Sequence, residues 1–459
     1  MAQLTTRPSA YLSIVLGDFA PNPNEAFEAA VRAYDLSTVL ADCAKTESAK
    51  TAILDLHRAE IVKPNGLWWV AWDRLVAAKR KDVTEEDLAI LVGDLEALLT
   101  RYGDATDPGA FNPHLTQAAA NRLINHYTRK QLPDEAKRIH LKVAQVFESF
   151  AVLADPMVGS TVLQTAVNAY RKAGNREEGD RVRVLMQEKI REANSQMKQI
   201  GTEVEVPFDE MERFLASIIA EDVGRTFARI ASNFLQRRAG TEKFLADMTR
   251  AAPLTSMLSQ QIVAEDHVVG VIGSIDADPS GRLVRQASDL YRMNGMFLHF
   301  ALERAIEAHS ILPEHWVAFA NRQGLFNDVT LLLEGVHAWY ARDFVKAVHV
   351  IVPQIEVGLR AIFGMLGHPT TKPDRMAGDV ASVVNMGDVL YNEDIEAELG
   401  PDLTLHFKAL FADPRGWNIR NRLAHGLLGP LDIDEQMAQA VIHTLLVLGA
   451  WREFAEHRR

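Results

Sequence analysis

Apolar residues recur at intervals of three and four along almost the whole chain. That is the spacing of helices buried on one face, and it predicts an all-α protein. Runs rich in Ala, Glu, Arg, Lys and Leu, punctuated by Gly, Pro and Asp, read as helices over 24–43, 83–101, 115–130, 134–153, 160–173 and 176–199. Periodicity stops in GTEVEVP, at 201–207, which is the expected first domain boundary.

The last three of these helices follow a helix-turn-helix rhythm. AVNAYRKAGNREEGDRVRVLMQEKIREA places Tyr170 before a Gly174-Asn175 break and a second amphipathic helix after it. The rhythm resembles a tetratricopeptide array, but no clean repeat period is present, so an irregular helical domain is the other reading of 1–205. Helices resume at 209–236. The stretch QIVAEDHVVGVIGSIDADPSGR, 261–282, is rich in β-branched residues and reads as a short strand pair or an extended connector. Its Asp276, Asp278 and Ser280 lack the downstream glutamate of a calcium loop, so a turn is expected there. Helices at 283–310 and 313–321 complete a connecting region, 206–320.

The final region, 321–459, reads as a helical bundle. A long helix at 341–366 is apolar on most faces, which predicts burial, and Pro353 in its middle predicts a kink. The loop GHPTTKPDR follows, then shorter helices near 379–391 and 402–412. A last helix over 433–455 has acidic residues at its start and Arg452 near its end, as the helix dipole favours.

A chain of 459 residues fits two or three domains, and 47% apolar with 24% charged residues is an ordinary globular balance. The best transmembrane candidate, Ala347 to Gly367, carries Gln354, Glu356 and Arg360, which argues against a membrane span. MAQLTTRPSAYLSIVLGDF lacks the apolar core and cleavage site of a secretion signal. The single cysteine, Cys43, excludes an internal disulfide and suits a reducing cytoplasm. A net charge of −12 disfavours a broad nucleic-acid surface. From Asn321 onward 13 Lys and Arg face 18 Asp and Glu, so any polyanion site there must be compact. Phosphate-loop, dinucleotide, nucleophile-elbow and HExxH motifs are absent, no two histidines stand four apart, and no metal or cofactor is expected. Lone histidines such as His349 and His443, on apolar helices, read as packed or hydrogen-bonded core residues.

GWNIRNRLAHGLL, Gly416 to Leu428, is the stretch whose spacing suggests chemistry. In a helix, Asn421 and His425 share one face, and Leu423 with Leu427 point to another, toward the core. Pro414 and Gly416 punctuate the start, Asn418 is an N-cap candidate, and Arg420 then lies where backbone N–H groups favour an anion. Cleavage of RNA without a metal requires a base for the ribose 2′-hydroxyl and a cation for the charge on the transition state. Histidine, with an unperturbed pKa of about 6.5, and the arginine fork suit these tasks. One histidine cannot serve as base and acid in the same step; two copies could supply both. The other reading is that Arg420 and His425 only cap or bridge helices. No role matches Arg422.

RNRLAHG resembles the Arg-x4-6-His signature of the HEPN superfamily. More narrowly, GWNIRNRLAHGLL resembles the RNxxxHG motif of the DUF4209 family. So does the upstream ARDFVKAVHVIVPQIEVGLRAIFGMLG, with Asp343, the Pro-Gln-x-Glu of 353–356 and Arg360. The similarity covers roughly 260–459 and is strongest at 337–367 and 412–430. It implies a helical bundle that dimerises and forms a composite, metal-independent endoribonuclease site. Arg420 and His425 would be the catalytic pair, Asn421 their polar helper, and Glu356 with Arg360 a supporting layer; a simple i,i+4 ion pair is the other reading of the last two. RNA would be the substrate, in a toxin, phage-defence or RNA-processing setting, and the first 205 residues would receive an antitoxin or sensor protein. The alternative is a non-catalytic helical scaffold whose bundle mediates dimerisation or partner binding only.

Overall fold

The structure, a computed structural model, describes residues 7–17, 19–64, 66–80, 82–197, 205–264, 266–373 and 380–456. It is 72% helical, with two small two-stranded antiparallel sheets among the described residues, so the chain is all-α as its periodicity predicts. It divides into two compact units, Met1–Lys198 with Glu265–His267, and Gln199–Ala264 with Val268–Arg459. Within the second unit, elements from 206–320 and from 321–459 share one hydrophobic cluster. The expected boundary at 201–204 and the end of the helix expected over 176–199 lie outside the described residues.

Among its described residues the first unit has eight helices of ten residues or more, in chain order: α1 (Arg7–Leu16), α2 (Pro23–Val39), α3 (Cys43–Ile61), α4 (Glu85–Tyr102), α5 (Pro113–Arg129), α6 (Pro133–Leu153), α7 (Pro156–Ala173) and α8 (Arg176–Gln196). Polar side chains start most of them. Asn22, Asp42, Thr84, Asn112, Asp155 and Asn175 each accept a hydrogen bond from a first-turn backbone N–H. The cap at Asp42 explains one departure from the expected pattern: the helix predicted over 24–43 ends at Val39, and a separate helix, α3, begins at Cys43. Between α3 and α4 a helical turn (Trp69–Ala71) runs into a π-helix (Trp72–Ala77). The core is closed by Phe27, Tyr34, Ile53, Trp68, Trp72 and Leu95.

The second unit begins with α9 (Phe208–Ile218), α10 (Val223–Phe234) and α11 (Arg238–Ala251). The predicted helix 209–236 is therefore two, because Asp222 caps a new start by accepting from Arg225 N–H. Of the two readings of 261–282 the strand pair is the one present, as β1 (Gln260–Val263) and β2 (Val268–Ile272), with Gln260 opposite Ile272. Asp278 starts α12 (Pro279–Met293) as an ordinary cap on Gly281 N–H. The predicted helix 283–310 breaks at Asn294 into α12 and α13 (Gly295–His309). Then come α14 (Pro313–Ala320), α15 (Thr330–Tyr340) and α16 (Phe344–Met365).

Asp343 caps α16, and the helix continues through Pro353. By length and composition α16 could cross a membrane. Its Ala347, Val348, Ile351, Val352, Ile355, Leu359 and Ile362 are buried in the core of the unit. Residues 374–379, the end of the expected loop and the start of the helix expected near 379–391, lie outside the described residues; on either side of them β3 (Thr371–Pro373) pairs antiparallel with β4 (Ala381–Val383), and a short helix, Met386–Leu390, follows. Val384 N–H also bonds Thr370 O, which extends the pairing. After a short helical turn, Ile395–Leu399, come α17 (Pro401–Phe407) followed by a π-helix (Lys408–Ala412), α18 (Ile419–Ala424) and α19 (Glu435–Gly449). The last helix predicted to 455 stops at Gly449, and a separate turn, Trp451–Glu456, follows it.

Every residue of α19 from Met437 to Gly449 is buried. Burying each of its Val, Ile and Leu side chains contributes about 2 kcal/mol. The polar groups of the surrounding core must then pair internally. Gln236 N–H donates to the Tyr291 hydroxyl oxygen (3.2 Å), so the Tyr291 O–H points to His406 Nδ1 (2.6 Å). His406 therefore carries its proton on Nε2, which donates to Thr444 Oγ1 (3.0 Å), and Thr444 donates to Ala440 O (2.8 Å). The His443 ring stacks edge-on against that of His406. Burial holds both histidines neutral, lowering His406 well below the ordinary value and His443 to about 4.

The folded chain thus binds fewer protons here than the unfolded chain. Stability from these groups is complete above the ordinary histidine value and falls as the pH drops from about 6.5 toward 4. His443 alone accounts for ~3 kcal/mol of that loss. Thermal unfolding followed from pH 7 to pH 4 should show a falling midpoint, with a shallower fall in His443→Leu; equal slopes would contradict the assignment.

Candidate active site

The motif stretch is held by a buried ion cluster before its helix begins. Asp413 is 1% exposed and receives Arg415 Nε at 2.8 Å, Arg415 Nη2 at 2.7 Å and the Tyr391 hydroxyl at 3.0 Å. Arg415 Nη1 reaches back to Asp278, 137 residues earlier, at 2.9 and 3.0 Å. Burial pushes the Asp413 carboxyl upward, but the hydrogen bonds and charge of Arg415 outweigh it and hold the group below its ordinary value. Trp417 Nε1 donates to Ser288 O (3.1 Å). Gly416 lies so close to the π-helix that a Cβ there would stand 2.1 Å from Ala409 O, so only glycine fits.

The helix that follows, α18, has six residues. Ile419 plugs into the core, and Leu423 and Leu428 pack against it. Asn418 sits at the cap position in the left-handed conformation (φ 53°), but its side chain does not cap. Its Oδ1 instead accepts from Asn421 Nδ2 at 2.8 Å. The first-turn backbone N–H groups of α18 are thus left without a side-chain cap. Leu427 also departs from expectation. The helix ends at Ala424, Gly426 turns the chain at φ 66°, and Leu427 is 48% exposed.

Arg420 faces α16. Its Nε donates to Glu356 Oε2 at 2.7 Å, with 27% of the Arg420 side chain and 13% of the Glu356 side chain exposed. Glu356 Oε1 accepts from Arg360 Nη2 at 3.3 Å, and Arg360 Nε donates to Val384 O at 2.9 Å. Glu356, Arg360 and Arg420 are thus brought together across two helices. Asn421 joins them as a brace: Nδ2 also donates to Ala412 O (3.2 Å), and Oδ1 accepts from Arg420 Nη1 (3.3 Å).

His425 closes α18 through its backbone N–H to Asn421 O (3.0 Å). Its side chain is exposed, and the ring has no hydrogen-bond or ionic partner among the described residues. Arg422 makes a 3.6 Å contact with exposed Asp432, a pair of little energetic weight. Of the five residues singled out in the sequence, four form one connected cluster, Glu356–Arg360–Arg420–Asn421, and His425 stands at its edge facing solvent. An exposed imidazole can take or give a proton to a docked molecule, and a partly exposed guanidinium can attract an anion if it outcompetes Glu356.

Tyr391, Asp413 and Arg415 were not singled out in the sequence, and Asp278 was read there only as part of a turn. Asp413 and Arg415 are close in the chain, but nothing in it marks Asp278 or Tyr391 as their partners. His349 is hydrogen-bonded, through Nδ1 to Val345 O (2.8 Å), but stands exposed on α16 and not in the core as expected, because it lies on the helix face turned away from α19. Among the described residues no group of three or more His, Cys, Asp or Glu is placed to hold a metal ion. A cleft of about 890 Å³ in the first unit, walled by Tyr11, Arg32, Trp69 and Arg74, contains none of the motif residues.

The chain matches no family model, no curated protein and no solved structure.

Removing Arg415 leaves Asp413 charged and buried without its cation. Arg415→Ala should lower unfolding stability by about 3 kcal/mol in urea titrations, whereas Arg422→Ala should change it by less than about 0.5 kcal/mol. Comparable losses for the two variants would refute the division between anchor and surface pair.

Proposed function

We propose that this protein is a metal-independent endoribonuclease of the HEPN type, acting as a homodimer whose two motif helices combine into one site. The observation that carries this reading is the placement of His425: exposed, its ring without a partner among the described residues, and five residues beyond an arginine fixed by Glu356. His425 exchanges the proton of the ribose 2′-hydroxyl or of the leaving oxygen. Arg420, aligned by Glu356 and Asn421, stabilises charge on the phosphorus oxygens in the transition state. Arg360 supports Glu356 from the next turn. No cofactor is required by these roles.

A second copy is supported by the outer face of α16. Val345, Pro353, Val357 and Met365, with His349 among them, stand exposed at intervals of four or eight, a mostly apolar stripe on the helix that carries Glu356. In this reading the substrate is RNA, the setting is toxin, defence or RNA-processing activity in the cytoplasm, and the first unit receives an antitoxin or sensor protein.

One observation favours a non-catalytic scaffold instead. Glu356 neutralises Arg420, and every polar atom of the Asn421 side chain is engaged within the protein. Labelled RNA incubated with the purified protein in EDTA separates the two readings. The nuclease reading expects cleavage, lowered at least ~100-fold in His425→Ala and in Arg420→Ala. Absence of cleavage by the wild type, or equal cleavage by wild type and His425→Ala, would favour the scaffold.

A further inference from the structure

The Glu356 carboxylate serves two arginines at once. Its Oε2 accepts from Arg420 Nε at 2.7 Å, and its Oε1 lies 3.5 Å from Arg420 Nη2 and 3.3 Å from Arg360 Nη2. Arg420 thus turns one edge of its fork, Nε with Nη2, to the carboxylate. An anion that approaches Arg420 meets a guanidinium whose charge Glu356 already offsets. The Glu356 side chain is only 13% exposed, so water cannot readily replace a departing cation. Were Arg420 its sole partner, drawing Arg420 away would leave a nearly buried carboxylate uncompensated.

Arg360 removes that obstacle. It stands one turn along α16 from Glu356, and its Nε donates to Val384 O at 2.9 Å. Its Nη1 makes no hydrogen bond among the described residues. The 3.3 Å contact of Nη2 with Glu356 is long for an ion pair, which leaves room for it to shorten when Arg420 withdraws. The carboxylate then keeps a cation throughout. Charge points the same way. Two arginines face one glutamate, so the trio carries one positive charge in excess, and an anion at Arg420 draws on it. Without Arg360 the remaining Glu356–Arg420 pair is neutral.

We propose, resting on the ribonuclease reading, that Arg360 is a positioning residue that takes over Glu356 when Arg420 engages a phosphate of the RNA. Arg360 acts through the carboxylate and does not itself hold the phosphate. In this arrangement Glu356 aligns Arg420 in the free protein and competes with substrate for it, and Arg360 resolves the competition.

The experiment uses the full-length protein and a 2′-O-methyl oligoribonucleotide, which offers phosphates but no 2′-hydroxyl, so binding is read without cleavage. Affinity is measured by fluorescence anisotropy. Arg420→Met and Arg360→Met should each bind roughly tenfold more weakly than the wild type. Arg360→Lys, which keeps a cation beside Glu356, should recover most of the loss. In Arg360→Met/Glu356→Gln no negative charge competes for Arg420, and affinity should return to the wild-type value or above. A merely structural arginine would not be repaired by a second substitution on the same helix. Glu356→Gln alone should bind more tightly than the wild type, a result that needs no change at Arg360. Wild-type affinity in Arg360→Met, a loss that Glu356→Gln does not restore, or no gain in Glu356→Gln alone would each overturn the proposal. The same proteins are then given cleavable RNA in EDTA. The expected binding pattern with no RNA cut upholds the role of Arg360 and sinks the nuclease reading alone. Cleavage that is lost in His425→Ala but untouched in Arg360→Met sinks the role of Arg360 alone.

Discussion

The burial of α19 on all its faces is the constraint on which the second unit depends. A helix with no side facing water must be surrounded, and α10, α13, α14 and α16 pack around it. The same burial sets the polar chemistry of the core. Gln439 must find His299 (2.7 Å), Thr444 must find His406, and His443 turns to Ala231 O (3.3 Å). Each of these groups would cost more unpaired than it contributes when paired, so the network specifies one arrangement of helices.

From that centre the candidate site follows outward. Because α16 lies against α19 with Ile355 and Leu359 turned inward, Glu356 and Arg360 emerge along its flank. The π-helix after α17 and the Asp413–Arg415–Asp278 cluster deliver the motif stretch to that flank at a fixed height. Arg420 meets Glu356 as a consequence of both. His425 is held only through the backbone, and its ring remains exposed. The apparatus that orients the site is thus largely buried, and the group able to exchange protons is the one left outside.

The helical pattern was legible because apolar spacing needs only local sequence. So were the strand pair in 261–282, the Gly174-Asn175 break and the acidic start of α19. What escaped were the interruptions: the ends of helices at Val39, Ile218 and Met293, and the hairpin of β3 with β4. Single capping residues such as Asp42 and Asp222 decide these, and a cap is one hydrogen bond against a long periodic run. In the motif, the sequence marked Glu356, Arg360, Arg420, Asn421 and His425 by type and spacing. It also suggested an N-cap role for Asn418 and a core role for Leu427. Both expectations assumed a helix longer than the six residues that form.

The sequence by itself determined that this chain is all-α, that α16 is a core element, and that one short stretch concentrates arginine, asparagine and histidine. These follow from periodicity and residue chemistry, which act over a few turns. Only the tertiary structure decided that Arg420 is paired with Glu356, that Asn421 is a brace, that Asp278 anchors a loop 137 residues away, and that His425 faces solvent. Those facts depend on which helix faces meet, and a one-dimensional pattern of apolar residues sets how much surface is buried without naming the polar atoms that end up side by side.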